Sequence, residues 1–115
     1  MSKFRLKKKI VTPSAWQVWI TYVPFEDDTS GKKRPVLVTE TNGLSCTIAE
    51  ISSKSPTYGS DIHVFDIVTA GLEKESVVKT WKTRTVPRKS LMCKLGYLSS
   101  TDRCRVKEVI KGSGC

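Results

Sequence analysis

A chain of 115 residues is long enough for one hydrophobic core and too short for two, so a single domain is expected. An apolar fraction of 38% with three Trp, three Tyr and three Phe excludes a disordered tail. The net charge of +9 draws in polyanions and makes binding salt-sensitive. The charge is unevenly spread, with eight basic and three acidic residues over 1–35, two and six over 36–75, and ten and two over 76–115. If the two basic flanks meet in the fold, they make a face suited to phosphate backbones.

No stretch reaches membrane-spanning length, and the run after the basic start, Ile10 to Ser14, is too short for the apolar part of a signal peptide. The four cysteines (Cys46, Cys93, Cys104, Cys115) form no C-x-x-C pair, and the single histidine, His63, completes no zinc pattern. Free thiols in the cytoplasm, with no membrane and no metal, are the expectation. Consecutive acids at Glu26, Asp27 and Asp28 read as a solvated loop rather than a metal site.

In chain order, residues 1–12 are expected as a flexible basic arm, 13–111 as the domain and 112–115 as a flexible tail. From Gln17 the β-branched and aromatic run QVWITYV ends at Pro24 and predicts a strand. Residues 26–33 are polar and read as a loop. Pro35 to Thr41 predicts a second strand, turned by Asn42-Gly43 into a third from Ser45 to Ser52. Ser53 to Asp61 is another loop, and Ile62 to Asp66 is short enough for an edge strand. Gly71 interrupts the chain. Ser76 to Val86 alternates like a strand long enough to bend across a barrel. Pro87 to Cys93 predicts one helical turn. Ser99 or Ser100 is placed to cap a helix whose apolar side is Val106, Val109 and Ile110. Five or so short strands and one closing helix favour a small all-β barrel.

Four segments, in order, carry a resemblance. They are VPFEDDTSGKKRPVLV from Val23, AEISS from Ala49, AGLEKESVVK from Ala70 and KLGYLS from Lys94. Together they resemble toxins of the MazF/PemK family over about residues 18–110. The resemblance implies an SH3-like barrel of the CcdB/MazF plasmid-maintenance type with a short C-terminal helix, a homodimer, and an acidic cognate antitoxin peptide as partner. It also implies metal-independent, sequence-specific cleavage of single-stranded RNA such as mRNA, without a cofactor.

In that reaction the ribose 2′-hydroxyl attacks its own phosphate, and the enzyme must orient the strand and neutralise the phosphorane. Arginine suits this because its fixed fork donates two hydrogen bonds to phosphate and keeps its proton. The resemblance places Arg34 and Ser52 in the catalytic roles. His63 is a candidate proton carrier, and Asp28 is the nearest counterpart of a loop glutamate in some relatives. Lys32, Lys33, Ser53, Lys79, Lys82 and Arg84 are candidate RNA contacts, and Trp81 is set either to stack on a base or to pack in a core.

The sequence departs from the pattern in three places, one being that Asp28 stands one position off the loop glutamate of those relatives. Where some relatives carry an arginine and, two residues on, an aspartate, this chain has Lys79 and Trp81, and tryptophan cannot accept a proton. Trp16 stands where relatives usually have glycine. Two other readings use the same fold: a non-catalytic RNA-binding module, and a gyrase-poisoning toxin. The second is weakened by a C-terminus of Lys-Gly-Ser-Gly-Cys in place of an apolar tip.

Overall fold

The computed structural model describes residues 12–22, 33–53 and 59–112. These form strands β1 (Gln17–Tyr22), β2 (Lys33–Asn42), β3 (Ser45–Ser52) and β4 (Asp61–Val64), a single turn of helix α1 (Ile67–Ala70), and β5 (Ser76–Pro87). A 3₁₀ turn (Arg88–Ser90), β6 (Leu91–Tyr97) and helix α2 (Ser100–Lys111) complete them. The strands make one antiparallel sheet in the order β4-β5-β3-β2-β1-β6. The expected all-β class with a short C-terminal helix is found.

The β2–β3 hairpin forms where Asn42-Gly43 predicts it, with Gly43 at φ 65° and Asn42 opposite Ser45. Its register puts Val36 opposite Glu50, Leu37 opposite Ala49 and Val38 opposite Ile48. The run Val36-Leu37-Val38 is buried on both faces of the sheet, which is why it is continuously apolar and not alternating. Leu37 joins Val18, Ala49, Ile51 and Val78 in a core closed by Val106 of α2. Val36 and Val38 join Trp19, Ile48, Val86 and Leu91 in a second cluster.

Strand β5 is the long bent strand anticipated. Ala49 faces Thr83 while the next residue, Glu50, faces Lys79, so Thr80, Trp81 and Lys82 bulge between them. A bulge of this kind bends a strand and re-aims its side chains.

Two elements differ from expectation. The segment after Ser90 is a sixth strand, β6, because the predicted helical turn ends after three residues. Helix α1 is added before Gly71, capped by Asp66, which accepts from Thr69 N (3.1 Å) and Thr69 Oγ1 (2.7 Å). Helix α2 is capped by Ser99, as expected, and buries Val106, but Val109 is 42% exposed. Cys46 and Cys93 are free thiols, whereas Cys104 is disulfide-bonded, against the expectation of four free thiols. The expected basic arm lies outside the described residues except for Thr12. The expected tail does so except for Gly112, the left-handed C-cap of α2.

Three local devices fix α1, α2 and the start of β1. The Asp102 carboxylate is buried and accepts from the backbone N–H groups of Phe65 (3.1 Å) and Asp66 (2.9 Å) and from Arg105 Nη1 (2.9 Å), which ties α2 to the β4–α1 corner. Gly71 and Gly96 let α1 lie directly on β6: a Cβ at Gly96 would stand 2.3 Å from Thr69 O, and one at Gly71 2.1 Å from Leu95 O. Trp16 adopts φ 74°, the left-handed region that glycine enters without cost. Its N–H donates to Val38 O (2.6 Å), its carbonyl accepts from Leu98 N (2.9 Å), and its ring packs on the core. The strain of this backbone, roughly 1–2 kcal/mol, is offset by that burial.

Asp102→Ala orphans two N–H groups and should lower unfolding free energy by about 3 kcal/mol in urea melts. Gly96→Ala should cost about 1–3 kcal/mol by overpacking. Losses below roughly 0.5 kcal/mol, the range of substitutions that touch nothing, would show that neither contact anchors the helices.

Candidate functional site

At the end of the sheet where β2 begins and β3 stops, a groove of about 420 Å³ opens between these strands, β6 and the segment joining α1 to β5. Ile20, Pro35, Ile51, Leu72 and Leu95 supply its apolar wall. Its polar wall includes Lys33, Arg34, Ser52, Ser53, Glu73 and Lys74. Among the described lining residues three cations stand against one carboxylate, a net positive lining with apolar surface, suited to a phosphate beside a ring.

The register explains the pairing of its central residues. Val36 lies opposite Glu50, and Arg34 and Ser52 stand two residues beyond that pair on their own strands, where Arg34 faces Thr21 of β1 and Ser52 faces Val77 of β5. Both side chains come from paired strands rather than loops, so their separation is set by the ladder. On the other wall, Gly71 at φ 76° stops α1 and turns the chain, bringing Leu72 to Lys74 along the groove before Ser76 starts β5.

Of the candidate residues, Arg34, Ser52, Lys33 and Ser53 line this groove. Asp28 and Lys32 lie outside the described residues. His63 is exposed on edge strand β4, where its carbonyl accepts from Arg105 Nη1 (2.8 Å), and it does not line the groove.

Lys79, Trp81, Lys82 and Arg84 are not brought to the groove either. Lys79 is buried, with Nζ 3.3 Å from Asp61 Oδ2, where a solvated phosphate contact was expected. Trp81 is outside the core of this chain and does not line the groove: it is 41% exposed, and its indole N–H donates to Asp61 Oδ1 at 2.7 Å. Arg84 is exposed opposite Ile48.

Sequence reasoning missed Glu50. Its side chain is 7% exposed, 3.8 Å from Arg34 Nη1 and 3.0 Å from Lys82 Nζ. The available signal was an acid flanked by Ala49 and Ile51 inside an apolar strand, where a charge is costly unless paired. Lys74 and Glu73 were also missed, because only the fold brings the α1–β5 segment beside Arg34.

Two groups away from the groove have shifted acidities. Burial pushes the Cys46 thiol up, opposed by the Arg88 charge, and the Thr69 hydrogen bonds hold the Asp66 carboxyl below its ordinary value. Among the described residues no three His, Cys, Asp or Glu side chains are grouped to hold a metal, and no helix is long and apolar enough to cross a membrane.

The fold has many counterparts. The toxin MazF-mt6 of Mycobacterium tuberculosis is 26% identical, with a TM-score of 0.67 over 84% of this chain and 93% of that one. A MazE–MazF structure from Deinococcus radiodurans shares the fold at 17% identity, with a TM-score of 0.68 over 90% of this chain and 95% of that one. An endoribonuclease from a mycobacterial species shares it at 11% identity, with a TM-score of 0.67 over 91% and 93%. No curated protein sequence matches. The family of PemK-like, MazF-like toxins of type II toxin-antitoxin systems matches residues 15–113. That match spans the sheet, the groove and α2, and the chain belongs to this toxin family.

Proposed function

We propose that this chain is a metal-independent endoribonuclease that cuts single-stranded RNA by attack of a ribose 2′-hydroxyl on the adjacent phosphate. The observation that carries the reading is that Arg34 and Ser52, at the adjoining ends of β2 and β3, both line one cationic groove.

The chemistry follows from the charges. As the 2′-oxygen closes on phosphorus, the diester becomes a crowded phosphorane carrying an additional negative charge. A guanidinium aimed at its non-bridging oxygens is stabilising there more than in the ground state, which is the requirement for acceleration. The side chain of Arg34 is 33% exposed at the groove, accessible to a strand yet partly shielded from water. The Ser52 hydroxyl, a donor and acceptor on the facing strand, can bond the same phosphate and fix it for in-line attack. It lacks the methyl that would stiffen a threonine, so the geometry is looser than a β-branched residue would give.

Lys33 and Lys74 on the rim hold neighbouring phosphates, and the apolar wall accepts a base face. Ser53 adds a hydroxyl on the same edge. Single strands are favoured because their backbone can bend in line and their bases can splay into the groove. In the cell the chain acts as a homodimer restrained by an acidic antitoxin peptide that competes for the positive groove. A structure similar in fold is that of an endoribonuclease with its cognate antitoxin from a mycobacterial species.

Purified protein should cleave long single-stranded RNA in EDTA, and Arg34→Ala should lower the single-turnover rate by about 10²–10³-fold. Ser52→Ala should cost less, about 10–100-fold, the equivalent of one hydrogen bond to a charged group. Binding without cleavage by the wild type would favour the non-catalytic module. Cleavage unchanged in Arg34→Ala would remove Arg34 from the mechanism.

Affinity for single-stranded RNA should fall with salt, and Lys33→Ala and Lys74→Ala should each reduce the slope of log affinity against log salt by about 0.7. An unchanged slope would place the phosphates elsewhere.

A further inference from the structure

Behind the groove, beside Arg34, stands the buried acid Glu50. Glu50 stands mid-strand between two apolar residues, in a position where β3 has no structural need of a charge. Its partners come from the strands on either side, Arg34 of β2 at 3.8 Å and Lys82 of β5 at 3.0 Å. The row continues outward: Lys79 of β5 lies opposite both Glu50 and Asp61 of β4, and its ammonium meets the Asp61 carboxylate. Four adjacent strands thus carry alternating charges in one line, and the line ends at the groove in Arg34.

Resting on the endoribonuclease reading, we propose that Glu50 is a positioning residue for Arg34, and that Lys82 keeps it from neutralising that arginine. The two distances divide the work. At 3.0 Å, Lys82 is within hydrogen-bond reach of the carboxylate and draws it toward β5. At 3.8 Å the Arg34 contact is electrostatic only, so it restrains the guanidinium without using its donors. The Glu50 carboxylate thus adds an electrostatic restraint to a long side chain that is one-third exposed, before substrate arrives.

When a phosphate takes up the guanidinium, Lys82 still compensates Glu50. No unpaired buried carboxylate is then left to repel the substrate. The β5 bulge over residues 80–82 brings Lys79 opposite Glu50 while Lys82 still reaches the Glu50 carboxylate. An unbroken ladder would continue from Thr83 directly to Lys82 as the residue opposite Glu50 and lose Lys79 from it.

The test uses a single-stranded RNA that wild type cleaves, and the same RNA with a 2′-deoxy nucleotide at the cut site to measure binding alone. Glu50→Gln should lower the single-turnover rate about tenfold while binding of the uncleavable RNA is unchanged or tighter. In an Arg34→Ala background the same substitution should change the rate by less than about twofold, because the residue it positions is gone. An unchanged rate in Glu50→Gln, or an equal loss in both backgrounds, overturns the proposal.

Should Glu50→Gln not fold, Glu50→Gln/Lys82→Gln removes both charges together, is better tolerated, and must show the same rate loss. Absence of RNA cleavage by the wild type would refute the endoribonuclease reading instead. The tether is then read by NMR: the Arg34 Nε–H resonance should shift and lose order in Glu50→Gln, and an unmoved resonance overturns the proposal.

Discussion

The antiparallel register between β2 and β3 is the constraint on which the rest depends. It is set by the Asn42-Gly43 turn and locked by the burial of Val36, Leu37 and Val38 on both faces of the sheet. A slip of one residue would exchange the two apolar clusters and turn Arg34 to the other face. Because the core forbids that slip, it also fixes the strand ends, where Arg34 and Ser52 meet. Stability and site geometry are therefore one specification, carried by the same hairpin.

Around that hairpin the chain places its buried polar groups where they have structural or chemical effect. Asp102 ties α2 to the β4–α1 corner through two backbone N–H groups and Arg105. Gly71 and Gly96 bring α1 against β6 closely enough that a methyl group would not fit, and the segment leaving α1 becomes the second wall of the groove. The charged row from Asp61 through Lys79 and Glu50 to Arg34 runs across four strands toward the same end. The net positive charge of the chain is thus partly internal: Lys79 and Lys82 face acids, while Lys33 and Lys74 line the cleft.

Local chemistry was legible in the sequence where it acts over short range. The hairpin turn, the bent β5 strand and the Ser99 cap come from turn residues, alternation and capping spacing. Strand β6 was not legible, because Arg88 to Ser90 does form a helical turn and only pairing with β1 extends the chain from Leu91 to Tyr97. Arg34 and Ser52 were named by resemblance, and that both line one groove follows from the assembled sheet, which no motif states. Lys79 was read as a candidate RNA contact and Trp81 as either a stacking or a core residue, and residue type could not show that Asp61 on the neighbouring strand meets both. Glu50 escaped because a single acid in an apolar strand shows no partner until the sheet is assembled. Trp16 was noted only as standing where relatives usually have glycine, and its left-handed backbone became visible with the structure.

The central claim is that this groove bends a ribose phosphate for self-attack. It is tested most directly by mass spectrometry of the termini produced from a short single-stranded RNA in EDTA. Attack by the 2′-oxygen leaves a 2′,3′-cyclic phosphate, or the monophosphate from its opening, on one fragment and a 5′-hydroxyl on the other. Fragments bearing a 5′-phosphate and a 3′-hydroxyl would mean that water, not the ribose, attacked phosphorus, and would contradict the account.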